Sequence, residues 1–482
     1  MTTRYVKDES TALYEENDPG KKLIELLWGD TVLVLSNKKA DGKIKVKARA
    51  CTGYVHADAI GDTPLLEIYF IDVGQGDGVL IVTPDRKHIM LDGGYKRSAQ
   101  PHGKNAADFV DWKFSREYGL DTITLDAMIS SHNDADHYGG LWDLINPEEV
   151  RELDTSNTEV KNFYHSGVSW WTGGGKKRWL GPKQEGYLLS LIDDRKSIKD
   201  ALNGEDLKLQ GEWASFLGCV LEKKCPAKRL GYDLDGEIGY LPNFGPGEND
   251  VNVKILGPVV EKLDGVPVVK DFGGDSQNTN GNSSLLRLDY GRARILLTGD
   301  LNKKSQRYIL DAFKGKRQEL AADVVKSCHH ASDDCSYEFL ECVQASATII
   351  SSGDDENHAH PRPNIVAASG ATGYRTVDKD EMITPLVFST EISRSLKIGD
   401  PFQVDIGDEE HTDEKNIDVH YRRMTSGGVS ASNKVKTLNR LKIVEGIVYG
   451  LVNVRTDGEK ILCATLNEGK YKWEIKSFNS RF

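Results

Sequence analysis

Residues 131–140 read SHNDADHYGG. His132, Asp134, Asp136 and His137 fall within six residues, and none of these types settles unpaired in an apolar core. Imidazoles and carboxylates together make a divalent-cation site. In an extended or turning segment, residues two apart point the same way. His132 and Asp134 are therefore placed to aim at one ion, and Asp136 and His137 at a neighbouring one. Four more stretches end in similar residues: IMLDGG at Asp92, ILLTGD at Asp300, VVKSCHH at His329 and His330, and SSGDDENHAHPRP with His358 and His360. A carboxylate such as Asp300 can bridge two ions. Two cations about 3.5–4 Å apart lower the pKa of a shared water and clamp both oxygens of a phosphoryl displacement. The carboxylate share moves the balance from Zn²⁺ toward Mn²⁺, with both allowed.

Strands must position these residues. LLEIYFIDVGQGDGVLIV (65–82), KHIMLDGG (87–94) and TLDAMISSH (124–132) are near-continuous apolar runs, as in strands buried on both faces. Residues 105–119 read as a helix. Strand–helix alternation resumes at VNVKILGP (251–258) and runs through ATIISSG (347–353), which argues for a layered α/β domain. Strand-end loops along one sheet edge are where such folds place their sites. Residues 151–250 are polar, Gly-rich and weakly periodic and predict a long insertion or lid. Residues 1–62 read as short alternating strands, and residues 385–482 as a β-rich extension.

The chain has 482 residues, room for two or three domains, and 38% hydrophobic content, enough for a core. Its net charge of −12 repels phosphate backbones, so nucleic acid would need a local basic patch or bound cations. One such patch is SWWTGGGKKRWLGPK (169–183): Trp170, Trp171 and Trp179 flank Lys176, Lys177 and Arg178. Aromatic faces stack bases and cations track phosphates. No run of about 18 apolar residues occurs, so no membrane insertion is expected. The N-terminus is polar and the seven cysteines form no CxxC pair. A cytoplasmic protein with reduced thiols is predicted.

In their order, IDVGQGDGVLI (71–81), MLDGG (90–94), SHNDADHYGGL (131–141), NSSLLRLDYGRARILLTGD (282–300), KSCHHAS (326–332) and SSGDDENHAHPRP (351–363) resemble a metallo-β-lactamase-fold hydrolase, specifically the ComEC-like branch. The resemblance covers residues 66–370 and implies a four-layer αββα sandwich, here over 66–384. It implies that His132, Asp134, Asp136, His137, Asp300 and His360 bind two divalent ions and that Asp136 also holds the attacking water. It further implies that Asp92 orients the histidine loop and that one of His329 and His330 reaches the site. Many members carry a histidine near Asn282, and the family's HHGS stands here as HHAS, with Ala331. ComEC-type domains are associated with cutting DNA, so the expected activity is a nuclease or phosphodiesterase. Its substrate contacts would come from Trp170, Trp171, Lys176, Lys177, Arg178, Asn282 and Arg362. Hydrolysis of small phosphodiesters, cyclic nucleotides or lactones is the alternative, and a non-catalytic binder on a degenerate site the second. Residues 1–62 resemble a bacterial SH3-like barrel, with Tyr54 at the usual tryptophan position. This implies a protein partner or a contact with the insertion.

Overall fold

The structure is a computed structural model. It describes residues 2–100, 105–352, 360–391, 403–406, 409–412, 417–425, 428–438, 450–467 and 472–482. Two sheets form the heart of the molecule. The first has nine strands, in the order Ala227–Arg229, Phe163–His165, Ala127–Ser130, His88–Gly93, Gly78–Val82, Leu66–Phe70, Val452–Thr456, Lys460–Asn467 and Lys472–Asn479. The second has six: Val251–Gly257, Leu285–Tyr290, Ala293–Leu297, Val324–Lys326, Ala347–Ile350 and Leu386–Ser389.

The two sheets face each other across one apolar layer. Ile68, Phe70, Ile89, Leu91 and Ile129 of the first sheet meet Val253, Leu286, Leu288, Ile295 and Ile349 of the second. Alternate residues point the other way. Tyr69, Met90 and Met128 pack outward against Val110, Leu141, Phe216 and Val220, which lie on the helices Ala106–Trp112, Ala135–Asp143 and Gly211–Glu222. On the far side Leu285, Leu296 and Val325 pack against Ile309, Phe313 and Phe339. Burial on both faces explains the near-continuous apolar runs. The four layers are helix, sheet, sheet, helix, as expected. Within each sheet a set of parallel strands ends at one edge, and the candidate ligands follow those ends.

Two expectations need correction. Residues 151–250 are not a lid laid over the domain: two of their strands complete the first sheet, and Trp213, Phe216, Leu217 and Val220 enter its outer core. Residues 385–482 are not one extension. Leu386–Ser389 is an edge strand of the second sheet, and Val452–Thr456 pairs with Leu66–Phe70 inside the first. Residues 392–448 form a separate unit with two hairpins, Gln403–Ile406 with Glu409–Thr412 and Ile417–Thr425 with Gly428–Leu438. Part of the expected strand KIVEGIVYGLVNV, and His358, lie outside the described residues.

Residues 2–61 form a seven-stranded antiparallel sheet with its own core of Leu13, Leu26, Val32, Val46 and Val55. It packs against the C-terminal strands rather than against the expected insertion: Leu27 meets Leu462, Ala464 and Trp473. Among the described residues no helix is long and apolar enough to cross a membrane.

Candidate metal centre

The strand His88–Gly93 ends in Asp92, which is buried and in the left-handed region at φ 56°, a conformation Asp tolerates better than most residues. One of its carboxylate oxygens accepts from Ser131 N at 2.7 Å, and the other lies 2.9 Å from His137 Nδ1. This carboxylate turns the imidazole so that Nε2 faces inward, 3.4 Å from Asp300 Oδ2. His330 is held in the same manner: its Nδ1 donates to Ser351 O at 3.0 Å, and its Nε2 lies 3.1 Å from Asp300 Oδ2. His132 places Nδ1 2.9 Å from Ser131 Oγ, and its ring centroid is 4.0 Å from that of His137. The Nε2 atoms of all three are buried and make no hydrogen bond among the described residues. A second partner at Nδ1 that leaves Nε2 bare is how metal-binding imidazoles are oriented.

Among the described residues four groups of three side chains bring ligand atoms within 4.8 Å of one another, and two of them are built without Asp77. These two are His132, His137 and Asp300, and Asp136, His137 and His330. His137 thus belongs to both, which differs from the expected split of His132 with Asp134 and Asp136 with His137. Asp134 sits beside the first triad, its Oδ2 3.8 Å from His132 Nε2. Asp136 Oδ2 accepts from Gln75 Nε2 at 3.3 Å and lies 3.9 Å from His330 Nε2. His360 borders the second triad, its ring 6.1 Å from that of His330.

The electrostatics ask for cations. Asp77, Asp92, Asp134, Asp136 and Asp300 crowd one region, where Lys326 supplies a buried cation, bonded to Asp77 and 3.4 Å from Asp300 Oδ1. Burial opposes the charged form of His330, yet Asp300 and Asp77 outweigh it and push the imidazole up to about 10. His137 is likewise raised, by Asp300 and Asp92 against burial. Burial and the neighbouring Asp136 push Asp134 up to about 7. These imidazoles take up protons where divalent ions would otherwise supply the counter-charge. The donor set therefore fits such ions.

The remaining expected residues divide. His329 shares its Nε2 with Asn280 Nδ2 at 3.2 Å and stands 3.9 Å from Asp300, so His330 is the deeper of the pair. Asn282 turns away and donates to the carbonyls of Lys270 and Asn278; its neighbour Ser283 reaches His132 Nδ1 at 3.3 Å instead. Arg362 lies 3.7 Å from Asp333. Trp170 and Trp171 are 7% and 5% exposed, so their faces are closed to base stacking. Both rings join the outer core with the helix Gly211–Glu222, whose Trp213 donates to Ser169. Lys176, Lys177 and Arg178 remain exposed. Ala331 occupies the left-handed region at φ 62°, where glycine is favoured, and its methyl is buried against Cys335, Ile350 and Ile365. Sequence reasoning did not assign Asp77 and Lys326 to the site. The signal was present, since both stand in polar stretches at the ends of buried strands.

No family model matches this chain. Among solved structures it aligns with the metallo-β-lactamase fold protein YhfI from Bacillus subtilis at a TM-score of 0.31 and 11% identity, over 67% of this chain and 96% of that one. The long form RNase Z from yeast aligns at a TM-score of 0.28 and 11% identity, over 62% of this chain and 39% of that one. The chain spans 32% of the length of the curated relative it matches. That relative is ComE operon protein 3 of Bacillus subtilis (strain 168), to which this chain is similar at 22% identity over 324 residues, 65% of this chain.

Proposed function

We propose that this chain is a metal-dependent hydrolase of the metallo-β-lactamase fold that cuts phosphodiester bonds in nucleic acid, DNA foremost. The observation that carries the reading is the convergence of three buried Nε2 atoms, those of His132, His137 and His330, none hydrogen-bonded among the described residues, on Asp300. The sequence similarity to ComE operon protein 3 supports the same reading. His132, Asp134, Asp136, His137, His330 and Asp300 would hold two divalent ions, Zn²⁺ or Mn²⁺, with His360 alongside. Such ions, when bound, activate a water and polarise a phosphoryl group. Asp92 and the Ser351 carbonyl keep His137 and His330 in the ligating orientation. Asp136, at the outer edge and held by Gln75, orients the attacking water. The hairpin bearing Lys176, Lys177 and Arg178 meets the polyanion, and the N-terminal sheet serves as an SH3-like module for a protein partner. A cytoplasmic location belongs to the same reading.

Elemental analysis of the purified chain, followed by incubation of single- and double-stranded DNA with added Mn²⁺ or Zn²⁺, tests this. About two ions per chain and metal-dependent cutting are expected. Two ions without cutting would redirect the reading to small phosphodiesters and lactones. No metal under any loading condition would sink it.

A further inference from the structure

The hairpin formed by Trp171–Gly173 and Lys176–Trp179 carries three cations, and the structure treats them differently. Lys176 lies 4.3 Å over the Trp179 ring. Arg178 lies over the Trp170 ring, its guanidinium carbon 3.9 Å from the ring centroid. Trp170 is buried, and its Nε1 donates to the backbone carbonyl of Asn133 at 3.0 Å. Asn133 stands between His132 and Asp134. Two contacts therefore fasten this one cation to the ligand loop itself. Among the described residues the guanidinium makes no hydrogen bond and no ion pair.

A guanidinium stacked on an aromatic face still presents its N–H donors in its own plane. That planar fork matches a phosphate. In the nucleic-acid reading the scissile phosphoryl group lies at the metal centre, and a phosphate adjoining it must be held outside that centre, on a molecule of net charge −12. Without a local cation that phosphate would be repelled. We propose that Arg178 anchors a phosphate adjoining the scissile one, and that the site is thereby set for a phosphodiester chain rather than a single small diester. The inference rests on the nucleic-acid reading above. Arg178 touches no reacting atom in this scheme and acts as a positioning residue.

The full chain, loaded with Mn²⁺ or Zn²⁺, is assayed on a short single-stranded oligonucleotide and on bis(p-nitrophenyl) phosphate, which has one phosphate. In Arg178→Ala the KM for the oligonucleotide rises about tenfold with kcat less affected, and the preference for oligonucleotide over small diester falls about as much. Arg178→Lys restores only part, because an ammonium neither stacks nor forks. The slope of log KM against log salt falls by about one. Equal losses on both substrates, or none on either, overturn the assignment. Anisotropy of a labelled oligonucleotide makes the same comparison without turnover, and unchanged affinity in Arg178→Ala overturns it. A wild-type chain that hydrolyses the diester yet neither binds nor cuts the oligonucleotide overturns the nucleic-acid reading itself.

Discussion

His137 is the residue on which the centre turns, because it belongs to both ligand triads built without Asp77 and depends on Asp92 for its orientation. Asp92→Ala should lower metal affinity or activity by about 10–100-fold while the metal-binding residues themselves stay in place. Titration with Zn²⁺ or Mn²⁺ beside the kinetics checks this; unchanged affinity and rate would show that Ser131 alone holds the loop. Asp136→Asn should abolish hydrolysis, by more than about a hundredfold, with the far-UV spectrum unchanged, because Asp136 is only partly buried and its amide partner Gln75 can bond an asparagine too. Full activity with metal still bound would refute its assigned role. The ligand types were legible in the sequence because chemistry constrains them. The orphan status of Nε2 was not, since it depends on what sits behind each ring: a carboxylate from another strand for His137 and a carbonyl from another for His330.

At the scale of elements, the parallel strands of both sheets end at the ligand loops, and the segment once expected as a lid helps build the first of those sheets. Trp213, Phe216, Leu217 and Val220 stand at i, i+3, i+4 and i+7 of the helix Gly211–Glu222 and fill the outer core. That periodicity was readable, but the polar residues around it masked the two short strands, three residues each, that only sheet pairing reveals. His165 ends one of them. It is buried, neither ring nitrogen has a hydrogen-bond partner among the described residues, and burial, with Arg229, pushes its imidazole down to about 3. The folded value lies below the unfolded value near 6.5, so the unfolded chain takes a proton that the native chain refuses. Stability should therefore be level above about pH 6.5 and fall as pH drops toward about 3, by a few kcal/mol from this group. His165→Leu should remove that part of the acid sensitivity. Denaturant midpoints for both chains across pH 4–8 decide it, and parallel curves would refute it.

A buried cation adds to the Leu27 contacts that join the N-terminal sheet to the C-terminal strands. Arg455, on a C-terminal strand, lies 2.7 Å from Asp30 of the N-terminal sheet and donates to Trp28 O at 2.6 Å, while Arg49 holds the other Asp30 oxygen at 2.7 Å. Removing one partner leaves buried charge unpaired, so Asp30→Ala should destabilise by about 3–5 kcal/mol. Equilibrium unfolding measures it, and a loss under about 1 kcal/mol would mean that water replaces the carboxylate. A chain ending before Gly450 should fail to fold, because Val452–Thr456 pairs with Leu66–Phe70 well inside the nine-stranded sheet. Protease resistance of such a truncation would refute that.

By itself the sequence pointed to the two-sheet layering, the strand ends that carry the candidate ligands, and the candidate set His132, Asp134, Asp136, His137, Asp300 and the His329–His330 pair. Burial on both faces of a strand and the ligand chemistry of imidazole and carboxylate are local properties, written in residue type and spacing. Only the tertiary structure decided that His330 rather than His329 lies deepest, that Asp77 and Lys326 join the cluster, and that Asn282 turns away while Ser283 faces it. It also decided that the chain's last strands complete a sheet begun near residue 66, and that of three cations in one hairpin Arg178 alone is fastened to the ligand loop. Those outcomes depend on which groups meet across hundreds of residues of chain, and spacing along the chain carries no information about that.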